Sequence, residues 1–257
     1  MQTITSKDNP RLKVVRALLR SKKDRQDASA FVTEGVRSLH ALVDGTGRTA
    51  YQLQEIWVSA DACALAAPFN VPVYCISPEW MEQLSDCQSS QGILGVVKHF
   101  PEPFNLHPER GNYLLLDAVM DPGNMGTLIR SAVAFGFNGI LLHGDCVDVF
   151  NPKTVRSTMG ALPFSTVWKT DETIFERLES LGYDVIATVI QEGEALPAMK
   201  FGLRNVLVIG NEAHGISAAV QARANRKMSI PMSGNVESLN AAVAGSICMF
   251  SIASSVA

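Results

Sequence analysis

The sequence is short of several things, and each shortage closes a route. No run of about twenty apolar residues is free of polar interruption. The most apolar stretch, Leu239 to Ala257, is broken by Asn240, Gly245 and several serines, and reads as a buried helix rather than a membrane span. The N-terminus is polar and basic, without the apolar core of a secretory signal, so a cytoplasmic protein is expected. The five cysteines, Cys63, Cys75, Cys87, Cys146 and Cys248, are odd in number and include no C-x-x-C pair, which argues against a disulfide framework or a zinc site. Buried free thiols are the simple reading. G-x-G-x-x-G, the Walker loop, G-x-S-x-G and H-E-x-x-H are all missing. His40, His99, His107, His143 and His214 are scattered, with no recognisable order relative to a serine or cysteine nucleophile. Dinucleotide-binding, nucleotidase, hydrolase and zincin readings therefore have no support, and no metal is expected.

Net charge is also small, at −3 over 257 residues, so global charge gives no hint of a polyanionic partner. Its distribution is more informative. The opening stretch carries Lys7, Arg11, Lys13, Arg16, Arg20, Lys22, Lys23 and Arg25 against only Asp8 and Asp24. A local anionic contact and a solvated helix face are the two readings, and charge alone does not separate them.

What is present is ample apolar material, 47% of residues, enough for one large domain or two small ones. Leu12, Val15, Leu18 and Leu19 have helical spacing over Arg11 to Arg20. A strand is expected at Phe31–Thr33 and a helix over Val36 to Val43, stopped by Gly45. Further strands are expected at Gln54–Ser59, Val71–Ile76 and Gly92–Val97, with helices at Ala60–Ala67 and Pro78–Leu84. The alternation makes residues 1–100 a small α/β unit. Residues 101–111 hold three prolines and no apolar period, and read as a linker. Residues 112–257 are more regular. Strands are expected at Tyr113–Asp117, Gly139–His143, Ser165–Trp168, Asp184–Val189, Asn205–Ile209 and Lys227–Pro231. Helices are expected at Asn124–Phe135, Pro152–Met159, Ile174–Leu181 and Ser238–Ser255. Near-continuous apolar strands separated by helices imply a parallel sheet covered on both faces.

Ligands of such sheets bind beyond the carboxyl ends of the strands. Three polar, glycine-containing turns follow strands here: Asp121–Gly126, Gly210–Gly215 and Met232–Asn240. Asn124 and Arg130 are expected to face the ligand edge, with Arg130 suited to holding phosphate; an N-cap asparagine and a surface arginine are the alternative. Glu212 suits a ribose hydroxyl or a cation, and equally a helix cap. Ser238 is a natural N-cap. Asn240 stands in the first turn of an apolar helix, where a buried amide needs partners.

Taken together, the three turns resemble the signature motifs of the SpoU branch of the SPOUT RNA methyltransferases. The first is Asp121-Pro122-Gly123-Asn124-Met125-Gly126-Thr127-Leu128-Ile129-Arg130-Ser131-Ala132. The second is Val208-Ile209-Gly210-Asn211-Glu212-Ala213-His214-Gly215. The third is Ile230-Pro231-Met232, then Glu237-Ser238-Leu239-Asn240-Ala241-Ala242-Val243-Ala244. Met125 stands where an aliphatic is more usual, a volume-conserving change. Asn9–Lys13, Phe31–Gly35 and Gln91–Gly95 resemble, more loosely, the substrate-binding domain that often precedes this enzyme, a ribosomal-protein-like RNA-binding fold.

The resemblance implies an enzyme that uses S-adenosylmethionine to methylate an RNA ribose 2′-hydroxyl, ribosomal RNA (23S type) being favoured over transfer RNA. A non-catalytic RNA-binding protein that keeps the fold is the rival. It also implies a C-terminal trefoil knot, a rarity that periodicity does not predict, and a homodimer to which the apolar Ala241–Ala253 helix contributes. The cofactor contacts implied are near Thr188, Val189, Gly210, Ile230, Met232 and Leu239. Arg130 is the residue most tied to catalysis, with Asn124 and Glu212 holding it and the ribose, and Ser238 and Asn240 holding the cofactor pocket and the first turn. Because arginine stays protonated, a clamp for phosphate and developing alkoxide is easier to accept than a literal base. RNA contact is assigned to Lys7, Arg11, Lys13, Arg16 and Arg20.

Overall fold

The computed structural model describes residues 1–44, 50–85 and 90–256; Gly45 and Cys87 lie outside the described residues. Cα packing divides the chain into two units, Met1–Glu102 with Asp148–Phe164, and Pro103–Val147 with Ser165–Ala257.

The first unit begins with β1 (Gln2–Thr3), α1 (Pro10–Arg20), α2 (Lys22–Ala28), β2 (Ala30–Glu34) and α3 (Val36–Asp44). It continues with β3 (Tyr51–Ser59), β4 (Val73–Ile76), α4 (Pro78–Leu84) and β5 (Ile93–His99). Its mixed sheet has the order β1-β4-β3-β5-β2, with β5 antiparallel to both β2 and β3. Asn9 caps α1 by accepting from the Arg11 N–H (2.9 Å), and Pro10 follows at the first helical position. Leu12, Val15 and Leu18 are buried on one sheet face with Met81 and Leu84 of α4, while Leu39 of α3 lies in a second cluster with Ile56, Val58 and Phe69. Each such side chain contributes about 1.5–3 kcal/mol on burial. The expected helix at Ala60–Ala67 is instead a turn followed by a 3-10 segment, Cys63–Ala66. Helix α2 has no apolar period and went unforeseen; Ser21 starts it by accepting from the Asp24 N–H (3.1 Å).

The second unit opens with β6 (Gly111–Asp117), α5 (Pro122–Ala134) and β7 (Gly139–His143). The chain then runs through α6 (Pro152–Ser157), which belongs to the first unit. It continues with β8 (Val167–Lys169), α7 (Thr173–Ser180), β9 (Asp184–Thr188), β10 (Glu194–Ala195), β11 (Arg204–Ile209), α8 (Ala218–Arg223), β12 (Arg226–Ser229) and α9 (Ala241–Val256). The sheet order is β10-β12-β9-β11-β6-β7-β8, all parallel. Tyr113, Leu115, Val206 and Val208 turn one face into a core with Ile174, Phe175 and Leu178 of α7 and Val220 of α8. The alternate residues Leu114, Leu116, Leu207 and Ile209 are buried too, as are Leu128 and Ile129 of α5 and Cys248, Met249 and Ile252 of α9. Helices α5 and α9 pack closely: a Cβ on Gly245 would stand 2.5 Å from Leu128 Cδ2 and 3.3 Å from Ile209. Among the described residues no helix is long and apolar enough to cross a membrane.

Candidate active site at the strand switch point

Strands β6 and β11 are neighbours, in register from Arg204/Gly111 to Ile209/Leu116. The connection after β6 leads through α5 to β7 on one side; that after β11 leads through α8 to β12, beyond β9 on the other. Loops that diverge from adjacent strands leave a crevice at their carboxyl ends. All three motif turns reach it.

A polar chain links them. Asp121 caps α5 by accepting from the Asn124 N–H (2.7 Å). The Asn124 side chain, nearly buried, donates through Nδ2 to Glu212 Oε1 (3.0 Å) and accepts at Oδ1 from Asn240 Nδ2 (2.9 Å). Glu212 also accepts from the backbone N–H groups of Met120 (3.2 Å) and Asp121 (3.1 Å). Burial raises the Glu212 carboxyl, but the Asn124 amide and the N–H groups of Glu212, Met120 and Asp121 outweigh it and hold the group below its ordinary value. Asn240 spends its other atom as a helix cap, its Oδ1 accepting from Ala242 N (2.9 Å) and Val243 N (3.2 Å).

These contacts correct the reading of the third turn. Helix α9 begins at Ala241, not at Ser238, and its cap is Asn240. Ser238 is exposed, with no hydrogen bond to any described residue. Asn240 is itself exposed overall rather than buried, although its amide donates to Asn124 and accepts from Ala242 N and Val243 N. The first turn is corrected too. Asn124 and Arg130 are six residues apart on α5, so about 120° separates them around the helix axis. Asn124 faces inward and Arg130 is exposed, without an ion pair or hydrogen bond to any described residue. Asn124 and Glu212 hold each other, not Arg130.

The second turn folds back on itself. Asn211 and Gly215 exchange backbone hydrogen bonds (2.9 and 2.8 Å), and Asn211 Nδ2 reaches the Ala118 carbonyl (2.9 Å) while its Oδ1 accepts from Ala213 N and His214 N. A Cβ on Gly210 would lie 2.2 Å from Gly215 C and 2.3 Å from Ile216 N, so only glycine permits this return. Gly215 has φ +70°, a conformation that also favours glycine.

The expected cofactor residues fall at neighbouring strand ends. Thr188 ends β9 and donates from Oγ1 to Val208 O (2.9 Å); the Val189 N–H donates to Met228 O (2.8 Å). Gly210 follows β11, and Ile230 and Met232 follow β12. Val189, Ile230, Met232 and Leu239 are all half-buried.

In the first unit the basic residues divide. Arg11 pairs with Glu55 (3.1 Å) and lies over the Tyr74 ring; Lys13 pairs with Asp8 (3.2 Å); Arg16 donates to Lys7 O (3.1 Å). Lys7 and Arg20 have exposed side chains with no ion pair to any described residue. Arg25 does not belong to the basic surface. It is 4% exposed and binds Asp148 Oδ2 through Nε (2.8 Å) and Leu18 O through Nη1 (2.7 Å).

Sequence reasoning missed one buried polar group. Asp117 and His143 are register partners at the ends of β6 and β7. Asp117 Oδ1 meets His143 Nδ1 (3.0 Å), its Oδ2 accepts from Ser217 N (2.7 Å), and Glu172 meets His143 Nε2 (3.3 Å). Both residues close apolar strands, the one signal that was available.

The chain matches known proteins over nearly all its length. Residues 111–250 match the SpoU rRNA Methylase family, and residues 9–95 the MRM3-like substrate binding domain. A 23S rRNA guanosine 2′-O-methyltransferase of Bacillus subtilis is 30% identical over 97% of this chain and 98% of its own. The crystal structure of an AdoMet-bound rRNA methyltransferase from Sinorhizobium meliloti aligns with TM-score 0.84 and 28% identity, covering 98% of this chain and 97% of that one. The SpoU methyltransferase AviRb from Streptomyces viridochromogenes, in complex with AdoMet, aligns with TM-score 0.84 at 25% identity over 96% of this chain and 97% of that one.

Proposed function

The chain belongs to the SpoU rRNA methylase family, and from that premise we propose that it transfers a methyl group from S-adenosylmethionine to a ribose 2′-hydroxyl of 23S-type ribosomal RNA in the cytoplasm. One observation carries the reading: the Asn240–Asn124–Glu212 chain ties all three motif turns together at the switch-point crevice.

The residues at the strand ends fit the cofactor. Val189, Ile230, Met232 and Leu239 present half-buried apolar side chains suited to an adenine ring, and the glycine backbone at Gly210 leaves no side chain in the way. When bound, S-adenosylmethionine supplies a methyl carbon activated by the adjacent sulfonium. This chain's own work is positioning. Glu212 pins the first turn through Met120 N and Asp121 N, and Asn240 fixes the start of α9 against Asn124. Arg130, without a partner among the described residues, is free to clamp an RNA phosphate and stabilise negative charge on the attacking oxygen. Ser238, exposed beside Leu239, is assigned to the edge of the cofactor site on its place in the third motif.

We assign the family's trefoil knot to the C-terminal segment. The return of Gly215 and Ile216 against Gly210 and the close packing of α9 on α5 support it. A homodimer is supported by the stripe that α9 leaves exposed: Val243, Ile247 and Phe250, spaced four and three residues apart.

The test incubates purified protein with methyl-labelled S-adenosylmethionine and either deproteinised ribosomal RNA or large ribosomal subunits lacking the modification. Digestion is expected to yield labelled 2′-O-methyl nucleosides. Label on a base, or none with either substrate, overturns the reading.

A further inference from the structure

We propose that the first unit holds a phosphodiester-binding cleft, built from α1, the end of α4 and the Asn151–Pro152 turn, that grips the backbone of the RNA substrate. The inference rests on the methyltransferase reading for the identity of the RNA, but not for the existence of the cleft.

The cleft has a volume of about 280 Å³ and is lined by Arg16, Leu19 and Arg20 of α1, Gln83, Leu84 and Ser85, and Asn151 with Pro152. Its two guanidinium groups come from positions i and i+4, on one face of the helix and about 6 Å apart along its axis. That suits neighbouring phosphates of a single strand. Among the described residues, none that lines the cleft carries a carboxylate. Glu34, which reaches Ser85, already accepts from the Ser85 and Ser90 hydroxyls at 2.6 and 2.9 Å.

Arg20 stands at the C-terminus of α1, where an arginine ordinarily serves the last carbonyls. Here that role is taken: Arg25 Nη1 donates to Leu18 O (2.7 Å) and Leu19 O (3.4 Å). Arg20 is left without a partner among the described residues. Asn151 Oδ1 is committed to Lys153 N (2.9 Å), while its Nδ2 donates to no described residue. Arg20 and the Asn151 amide thus offer unspent donors from two sides of a cleft that no described carboxylate lines, which is what a phosphate chain requires.

The far wall is held in place deliberately. Residues 148–164 lie in sequence between strands of the second unit, yet pack with the first. Asp148 is fixed by the buried Arg25 (2.8 Å). Phe150 stacks on Phe31 (4.8 Å between centroids) and on His99 (4.3 Å). The Asn151–Pro152 turn that these contacts seat therefore closes the cleft against α1.

The experiment measures binding of the full-length protein to large-subunit ribosomal RNA over a salt series, for wild type, the Arg16→Gln/Arg20→Gln pair and the Lys22→Gln/Lys23→Gln pair. The lysine pair removes the same charge from exposed positions outside the cleft lining. The arginine pair is expected to weaken binding about tenfold or more and to flatten the salt slope by about 1.4, the release expected for two single-strand phosphates. Its S-adenosylmethionine affinity and melting temperature should stay at wild-type values, and the lysine pair should keep most of the wild-type slope. An unchanged slope in the arginine pair, or an equal loss in both pairs, overturns the cleft. RNA that binds with the expected slopes but is never methylated would instead refute the proposed activity and leave the cleft standing.

Discussion

If Asn240 is the link that transmits the state of the first motif to α9, then Asn124 should influence α9 only through it. Asn124→Ala removes the acceptor of Asn240 Nδ2 (2.9 Å) and leaves the cap bonds to Ala242 and Val243 in place. A neutral hydrogen bond contributes about 0.5–1.5 kcal/mol net, and the exposure of Asn240 places this one near the low end, about 0.5–1 kcal/mol. Asn240→Ala loses the same bond and a helix cap of about 1 kcal/mol, so about 1.5–2 kcal/mol in all. Measured as opening of α9 by hydrogen exchange over Ala244–Met249, the first substitution should speed exchange about two- to fivefold and the second about ten- to twenty-five-fold. The double variant should match Asn240→Ala alone, a coupling of about 0.5–1 kcal/mol. Ser246→Ala gives the control. Ser246 meets Ser131 through a separate 2.7 Å contact between α9 and α5, so its effect should add to both. Additive effects of Asn124→Ala and Asn240→Ala on α9 would refute the link.

Four further outcomes are expected. Arg130→Ala should lower kcat about 10²–10³-fold while S-adenosylmethionine affinity stays within about twofold; near-normal turnover removes Arg130 from the chemistry. Gly210→Ala places a Cβ against backbone atoms of Gly215 and Ile216, which cannot yield cheaply, so calorimetry should show cofactor binding weakened more than tenfold. Because the Glu212 carboxyl is held below its ordinary value of 4.5, its contribution to stability is complete above that pH and fades as pH falls through the folded-state value; acid melts of Glu212→Gln should lack that component, and identical acid limbs would contradict it. Burial pushes the Cys248 thiol up to about 12, so iodoacetamide should leave it unmodified in the native protein at pH 8 and label it only after unfolding.

The parallel sheet was legible because its strands are apolar on both faces: Leu114-Leu115-Leu116 and Val206-Leu207-Val208 feed two cores at once. Turns were legible as positions but not as geometry. Ser238 and Asn240 are equally competent caps by residue type, and what selects Asn240 is Asn124, 116 residues earlier. Counting charges also misled at Arg25, where the deciding partner, Asp148, is 123 residues away. The same distance hides the packing of residues 148–164 with the first unit. Local pattern has no access to such pairings, and they are the ones that fix the site. The Asp117–His143 pair follows the same rule: each residue looks isolated until the register of β6 and β7 sets them side by side.

The division of labour within the crevice has a consequence for catalysis. Asn240, Asn124 and Glu212 are engaged with one another, and Arg130, the group proposed to act on the reacting oxygen, has no partner among the described residues. An arginine without a partner has no fixed orientation, so its share of transition-state stabilisation appears only when an RNA phosphate supplies the missing contact. Substrate binding would then set kcat as well as KM, and truncated RNAs lacking contacts remote from the ribose should lose turnover even at saturation. A rigidly pre-paired Arg130 would predict the opposite, a loss confined to KM. The exposed, unpaired side chain therefore favours an enzyme whose active site is completed by its substrate.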